Sequence, residues 1–230
     1  VGRARVLLRR GVVFARRGDY EAARSTYEAA LEAGAGDQQI LASVSNNLAV
    51  LATIRGDLDE AVVQYESCLE MYEALGDEKG LAGTYQNLGM TYSDQGDWSA
   101  AMDCYERGFE IAQKLENLLI MANIHLSMAE VMLEMGNTMM VPMCCARALD
   151  IYRKMGNRSG EADTYRLLGR TFTLRKDWST AAGLFQDSIH MNEDLGNPLG
   201  LAEAYRDLGK MQTAQGHSQD ARTAFSEALS

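Results

Sequence analysis

Proline and aromatic residues are scarce in this chain of 230 residues, which contains two prolines and 7% aromatic residues. β-Sandwiches and barrels depend on aromatic and β-branched strand residues and on frequent turn signals, so this scarcity argues against both. The hydrophobic fraction is nevertheless 47%, which provides ample apolar material for a folded body. The composition therefore favours an α-rich protein.

Long apolar runs are also missing. No stretch approaches the roughly 18 residues that a membrane span needs, and no signal-peptide pattern opens the chain. The four cysteines lack metal-type spacing, which indicates reduced thiols. We therefore predict a cytoplasmic protein without membrane contact. Because the chain begins at Val1 and stops within a helical pattern at Ser230, we also expect it to be a fragment of a longer protein.

Positive charge is in deficit overall. The formal net charge is −10, so nucleic acid and anionic membranes are disfavoured as partners by like-charge repulsion. The N-terminal segment is an exception, because it carries six arginines and no acid. A solvated helix face near a domain junction is favoured there over a nucleic-acid arm. The six are Arg3, Arg5, Arg9, Arg10, Arg16 and Arg17.

Motifs for catalysis are absent. There is no glycine-rich phosphate loop, no zinc-type Cys/His spacing and no nucleophile elbow. His125 is predicted to be a packed core residue, and Cys68 and Cys145 to be small buried hydrophobic residues. Cys144 beside Cys145 gives only a thin indication of redox sensing. Since the acids are spread evenly, we predict a protein that is not an enzyme, with no catalytic residues, no metal site and no cofactor.

A two-residue mark recurs six times at a nearly constant spacing. A fixed period of about 40 residues is typical of a solenoid, in which each unit buries its apolar face against its neighbours. The marks are Gly18-Asp19, Gly56-Asp57, Gly96-Asp97, Gly136-Asn137, Lys176-Asp177 and Gly216-His217.

A second series of Asp or Asn residues interleaves with the first and keeps the same period. Such residues, mostly preceded by glycine, are predicted helix N-caps that divide each period into two helices of about 18 residues. Pro198 falls at a first helical position, and Asp57 with Glu60 is predicted to form a capping box. The series is Asp37, Asp77, Asn117, Asn157 and Asn197.

Small residues recur where the two helices of a period would cross. A small side chain there lets two backbones approach, so stacked helical hairpins are predicted. On the first helices these residues are Ala49, Gly89, Ala129, Gly169 and Gly209; on the second they are Ala23, Ala61, Ala101, Ala181 and Ala221, with Val141 as the exception.

The most complete copy of the pattern consists of Leu88-Gly89, Tyr92, Gly96-Asp97, Ala101, Tyr105 and Phe109, and it resembles the tetratricopeptide repeat (TPR). The resemblance implies an all-α, right-handed superhelical solenoid of antiparallel helix pairs with about five and a half to six units. Residues 1–230 would form a single array, and the long period is similar to that in repeats of bacterial peptide-sensing regulators and of Leu-Gly-Asn spindle-orientation adaptors. The predicted units are 1–36, 37–76, 77–116, 117–156, 157–196 and 197–230.

The resemblance also implies a ligand groove on the concave surface, lined by first helices. Its cations would neutralise an acidic ligand, because Arg can bind a carboxylate bidentately, and its amides would hold a peptide backbone. The alternative is that local acids such as Glu161, Asp163 and Asp207 already pair with the cations. The predicted groove residues are Arg166, Arg170, Arg206, Lys210, Asn46, Asn47, Gln86 and Asn87.

The predicted function is a non-catalytic protein–protein interaction scaffold that binds an extended or acidic peptide. A first alternative is a structural array that self-associates, for example as a homodimer through the uncapped C-terminal helix with Phe225 and Leu229, or that packs within its own protein. A second is a sensor module that regulates an attached enzyme or transcription-factor domain.

The fourth repeat departs from the others. Pro142 is expected inside its second helix, where it would bend or loosen that helix. The repeat is also rich in methionine, which suggests either a flexible core repacked around Val141, the favoured interpretation, or an adaptable partner surface. Its methionines are Met121, Met128, Met132, Met135, Met139, Met140 and Met143.

Overall fold

The computed structural model describes residues 2–229. In that range the chain forms twelve α-helices and no strand, which confirms the all-α prediction. The helices are α1 (Gly2–Arg16), α2 (Tyr20–Ala33), α3 (Gln38–Arg55), α4 (Leu58–Leu75), α5 (Glu78–Gln95), α6 (Trp98–Lys114), α7 (Leu118–Glu134), α8 (Val141–Met155), α9 (Arg158–Leu174), α10 (Trp178–Leu195), α11 (Pro198–Gln215) and α12 (Ser218–Glu227).

The helices are grouped in two compact units, one ending at Ile120 and the other beginning at Met121. In the first unit α1 pairs with α2, α3 with α4, and α5 with α6; in the second α9 pairs with α10 and α11 with α12. Each unit is thus a stack of helical hairpins, as a TPR solenoid requires. That both units belong to one array stays a prediction. Within residues 2–229, no helix is both long enough and apolar enough to cross a membrane.

The predicted N-caps of the second series are all present. Each side chain accepts a hydrogen bond from the backbone N–H three residues later; for example, Asp77 accepts from Gly80 at 2.9 Å and Asn157 from Gly160 at 3.1 Å. Pro198 is the first residue of α11, as predicted. The five caps are Asp37, Asp77, Asn117, Asn157 and Asn197.

The prediction of a capping box at the start of α4 is wrong. The Asp57 side chain makes no capping hydrogen bond. Its carboxylate instead lies 2.8 Å from Arg55, and the Glu60 carboxylate lies 3.7 Å from the same guanidinium. A nearby cation has therefore drawn both acids away from the helix terminus.

The prediction that Pro142 bends or loosens the helix is also wrong. Helix α8 begins only at Val141, after a turn at residues 138–140, so Pro142 lies in its first turn. The N–H groups of a first turn have no partner within the helix, and the missing N–H of proline costs nothing there. Pro142 therefore helps to set where α8 begins.

The small residues at the helix crossings face aromatic rings of the paired helix. A Cβ added to Gly169 would lie 2.7 Å from the ring of Phe185, and one added to Gly209 would lie 2.7 Å from Phe225. In the fourth repeat Cys145 replaces the aromatic residue, and it packs in one buried cluster with Ala129. The prediction of small residues at the helix crossings is confirmed. Within each pair, the residue on the first helix is small enough to make room for the side chain on the second.

A second size match lies between consecutive hairpins, and it was not predicted. The Tyr152 ring near the end of α8 lies against Gly160 near the start of α9, where an added Cβ would approach to 2.6 Å. Tyr72 and Gly80 make the same contact. At the corresponding positions of the next junction the order of size is reversed, with Ala112 on α6 and Ile120 on α7. At the last junction Gly200 lies against Asn192, the residue equivalent to Tyr152, so the first arrangement returns there.

Two residues other than glycine occupy the left-handed region that ends many of the helices. Glu116 has φ 51° and Lys176 has φ 59°, whereas glycine occupies the positions equivalent to Lys176, such as Gly96 (φ 79°) and Gly216 (φ 90°). A side chain in this region crowds the backbone, which costs about 1–2 kcal/mol per residue.

Replacing Lys176 by glycine is therefore expected to raise the free energy of unfolding by about 1 kcal/mol, because relief of the crowding exceeds the greater chain entropy of glycine. Urea denaturation followed by circular dichroism measures the change. The matched control Gly96→Lys places a side chain in the same conformation and should lower the free energy. A stabilised Gly96→Lys or a destabilised Lys176→Gly would contradict this account.

Candidate functional site

Three of the predicted amides surround a depression in the first unit. Asn46 lies on α3, and Gln86 and Asn87 lie on the next first helix, α5; all three line a pocket of about 320 Å³. The other lining residues are Ser43, Tyr72, Asp77, Lys79, Gly80, Gly83 and Thr84. Asn46 and Gln86 are one period apart in sequence, and because α3 and α5 are neighbouring first helices, both residues lie on the same polar surface.

The four amides differ in how far the protein already uses them. Asn47 donates to the Ser43 carbonyl at 2.7 Å and accepts from the Tyr27 hydroxyl at 3.4 Å, so it supports the fold and does not line the pocket. Asn46 accepts from the Thr84 hydroxyl at 3.1 Å through its oxygen. Within residues 2–229 the side chains of Gln86 and Asn87 make no hydrogen bond. These two amides are the ones available to a ligand.

In the second unit Arg166 is held by two acids of α11. Its guanidinium lies 3.1 Å from Glu203 and donates to the Asp207 carboxylate at 3.0 Å. The Arg166 side chain is 13% exposed and that of Asp207 is 3% exposed. The bonds join two neighbouring first helices, α9 and α11, so this pair helps to fix one repeat on the next.

The Asp207 carboxylate also pairs with the other two cations of α11, Arg206 and Lys210. The Arg206 Nε and the Lys210 Nζ each lie 3.4 Å from its Oδ1. The Arg206 and Lys210 side chains remain 49% and 64% exposed. The structure therefore forms the local pairing that the sequence left as an alternative, with Asp207 at its centre. Glu161, which the sequence also offered, lies 3.5 Å from Arg153 instead.

Arg170, the fourth of the predicted cations, lines a pocket that has both apolar and charged walls. It bonds Glu134 of α7 at 2.5 Å, and both residues line this pocket of about 270 Å³. Apolar side chains and charged ones share this lining, so the pocket can hold an apolar group beside a charged group. The other lining residues are Leu133, Thr173, Leu174, Phe185, Asp207 and Lys210.

Burial changes the protonation of the acids around Arg166. Burial raises the pKa of the Asp207 carboxyl, but the hydrogen bond and charge of Arg166, together with Arg206, outweigh it, and the pKa lies below its ordinary value. For Glu130 and Asp163 burial is stronger than the opposing charge of Arg166, so their pKa values are raised. The surface is thus a mixed charge network, not an unopposed patch of cations.

The thiols and the buried histidine show no features of an active site. All four cysteines are buried, and burial raises the pKa of Cys68 and of Cys145 to about 12, which keeps both protonated. Burial, with Arg147, lowers the pKa of His125, which lies in the core as predicted. Over the described part of the chain, no group of three or more His, Cys, Asp or Glu residues is placed to hold a metal ion.

Sequence reasoning missed Glu203 and Glu134 as partners of the cations. A signal for Glu203 was present, because Glu203 and Asp207 flank Arg206, which is the residue equivalent to Arg166 in the next repeat. Both acids therefore lie within one helical turn of that equivalent position on the next first helix. Glu134 stands in the same relation to Arg170 on the preceding first helix, since it lies within one turn of Glu130.

Comparison with known proteins agrees with this architecture. The family model of the tetratricopeptide repeat matches residues 2–74 and 40–114. None of the curated proteins compared matches the chain.

Several solved structures share the fold. BtubC (BKLC) from P. vanneervenii is 23% identical over 96% of this chain and 89% of its own, with a TM-score of 0.66. The apo form of RapI is 12% identical over 100% of this chain and 82% of its own, with a TM-score of 0.83. The apo quorum sensor NprR from B. thuringiensis is 12% identical over 98% of this chain and 64% of its own, with a TM-score of 0.69. At these identities the similarity concerns the fold alone.

Proposed function

We propose that this chain, which belongs to the tetratricopeptide repeat family, is a non-catalytic cytoplasmic scaffold that binds an extended peptide segment of a partner protein on the faces of its first helices. One observation carries the proposal: Gln86 and Asn87 have no side-chain partner within residues 2–229 and border a pocket of about 320 Å³. An amide both donates and accepts, so it matches the backbone of an extended peptide. The backbone grip is therefore assigned to these two residues, with Asn46 beside them.

Preference for an acidic peptide is assigned to Arg206 and Lys210. Both are about half or more exposed, and they share one buried carboxylate with Arg166. One carboxylate cannot accept hydrogen bonds from all the N–H groups of three cations, so some of these groups remain for a second anion. A hydrogen bond between an arginine and a carboxylate is also stronger than one between neutral groups. Arg166 and Arg170 are already paired and would position the surface, so direct ligand contact falls mainly to Arg206 and Lys210.

The test is an array of synthetic peptides of acidic and neutral composition, probed with the purified chain. The Gln86→Ala/Asn87→Ala variant is expected to lose about tenfold or more in affinity for every peptide that the parent binds, since each lost hydrogen bond is worth about 0.5–1.5 kcal/mol. The Arg206→Glu/Lys210→Glu variant should lose only the acidic peptides. The matched control, Gln113→Ala/Gln186→Ala, removes exposed amides from second helices and should bind normally.

The outcomes separate the parts of the proposal. If the parent binds no peptide, or if the amide variant binds as well as the parent, peptide capture on this surface is refuted. If charge reversal leaves the acidic peptides bound, only the acidic preference is refuted. Homodimerisation through the C-terminal helix stays a separate prediction, which rests on the exposure of Phe225 (36%) and Leu229 (90%).

A further inference from the structure

Helix α1 exposes two valines at positions that other first helices bury. Gly11, which lies against the Tyr27 ring, is the crossing residue of α1 and is equivalent to Gly89 of α5. Val6 lies five residues before Gly11 and Val13 two residues after it, and they are 66% and 47% exposed. The equivalent residues of α3, α5, α9 and α11 are at most 5% exposed. They are Val44 and Leu51 on α3, Thr84 and Thr91 on α5, Thr164 and Thr171 on α9, and Ala204 and Met211 on α11.

Those positions are buried because another helix covers them. On α5 the Thr84 hydroxyl bonds Asn46 at 3.1 Å and the Thr91 hydroxyl lies 3.0 Å from that of Thr53, so the preceding first helix, α3, lies directly on this face. The Val6–Val13 stripe is thus a surface shaped for helix packing. Within residues 2–229 no helix covers it.

Two rows of arginines flank the valine stripe. At about 100° per residue, one row lies to each side of Val6 and Val13 on the exposed half of α1. None of the six forms an ion pair with any residue of the described chain, and only Arg10 makes a ring contact, 5.2 Å from the centre of Phe14. The rows are Arg3, Arg10 and, directly after the end of α1, Arg17 on one side and Arg5, Arg9 and Arg16 on the other, all exposed.

The charge of this face is reversed relative to a paired interface in the second unit. Arg5 and Arg9 lie six and two residues before Gly11, and the same positions before Gly209 hold Glu203 and Asp207. There the two acids hold Arg166 of the preceding first helix. A helix that packed on α1 in the same way would have to supply acids.

We propose that the α1 face, defined by Val6, Val13 and the six flanking arginines, binds an acidic amphipathic helix of a partner protein. Apolar side chains of that helix would cover the two valines, and its carboxylates would pair with the arginine rows. Nucleic acid fits less well, because an apolar stripe runs through the centre of the face and the whole chain has a net charge of −10. This surface differs from the amide and cation surfaces of the proposed peptide site.

The experiment measures binding of a fluorescent synthetic helix to the whole chain by anisotropy. The probe has about 18 residues, leucines on one stripe and glutamates on both flanks; a second probe carries lysines for the glutamates, and a third is a short DNA duplex. The glutamate helix should bind, less tightly at high salt because exposed charges are screened, and the other two probes should bind at least tenfold more weakly.

Variants locate the site. Arg3→Glu/Arg10→Glu and, separately, Val6→Asp should each weaken binding about tenfold or more, and both changes are on exposed side chains that leave the core intact. The control Arg222→Glu reverses an exposed arginine of α12 and should change nothing, as should Gln86→Ala/Asn87→Ala. The proposal is overturned if the glutamate helix fails to bind, if DNA binds better, or if Arg222→Glu weakens binding as much as the α1 variants. Equal circular dichroism of all variants is the criterion for a valid comparison.

Discussion

Replacing Arg166 by methionine is expected to lower the free energy of unfolding of the second unit by about 3–5 kcal/mol, because removing one member of a buried ion pair leaves the other charge uncompensated. Asp207 is 3% exposed and takes its 3.0 Å hydrogen bond from Arg166, and Glu203 would lose its partner at the same time. Methionine keeps most of the side-chain volume, so the measured loss reports the charge. Hydrogen exchange of α9 and α11 resolves the change where unfolding is local.

Arg206→Met is the matched control. Arg206 contacts the same carboxylate, but it is 49% exposed, and an exposed pair contributes about 0–1 kcal/mol. Equal losses for the two variants would show that the Arg166 pair is not the centre of the network.

The effect of Arg166→Met should also depend on pH. Because the folded pKa of Asp207 is lowered, its carboxylate stabilises the fold fully above the unfolded value of about 3.9, and this contribution is lost as the pH falls through the folded pKa. The difference between parent and variant is therefore expected to be complete at neutral pH and to shrink in acid. A difference that grew in acid would contradict the assignment.

Phe185→Ala is expected to destabilise α9 and α10 by about 3–5 kcal/mol, since it empties a fully buried ring site. The ring lies against Gly169, whose missing Cβ leaves no side chain to fill the space. The loss is measured by urea unfolding and by hydrogen exchange in these two helices.

Phe225 provides the internal control for this prediction. It occupies the same position on α12, against Gly209, but it is 36% exposed. Phe225→Ala should cost less than half as much, because water already reaches its ring. Similar losses at both sites would mean that burial by the neighbouring helices does not set the cost.

The regular parts of the fold could be predicted because they depend on local chemistry. An Asp or Asn before a helix caps it by accepting a hydrogen bond from a backbone N–H of the first turn, so the five caps follow from the residues themselves. The two local failures also have local causes. Arg55 competes for Asp57, and the turn at residues 138–140 moves the start of α8 to Val141.

The charge network could be predicted only in part. The period placed Arg166, Arg170, Arg206 and Lys210 on first helices, but their partners depend on side-chain conformations and on how far apart neighbouring helices lie. The sequence offered Asp207 as a partner, but its position between three cations depends on how the side chains of α9 and α11 are arranged. Whether these residues and the amides bind a ligand stays a prediction.

The size-matched pairs at the hairpin junctions bear on how such a chain could lengthen or shorten during evolution. Tyr72 and Tyr152 each face a glycine, whereas the junction between them has Ala112 before Ile120. Loss of residues 77–116 would place Tyr72 before Ile120, with two large side chains in one junction. Loss of residues 77–156 would instead place Tyr72 before Gly160, which restores the match. Loss of a segment is thus tolerated by the packing where a large side chain again meets a glycine, and it is not tolerated where two large side chains meet.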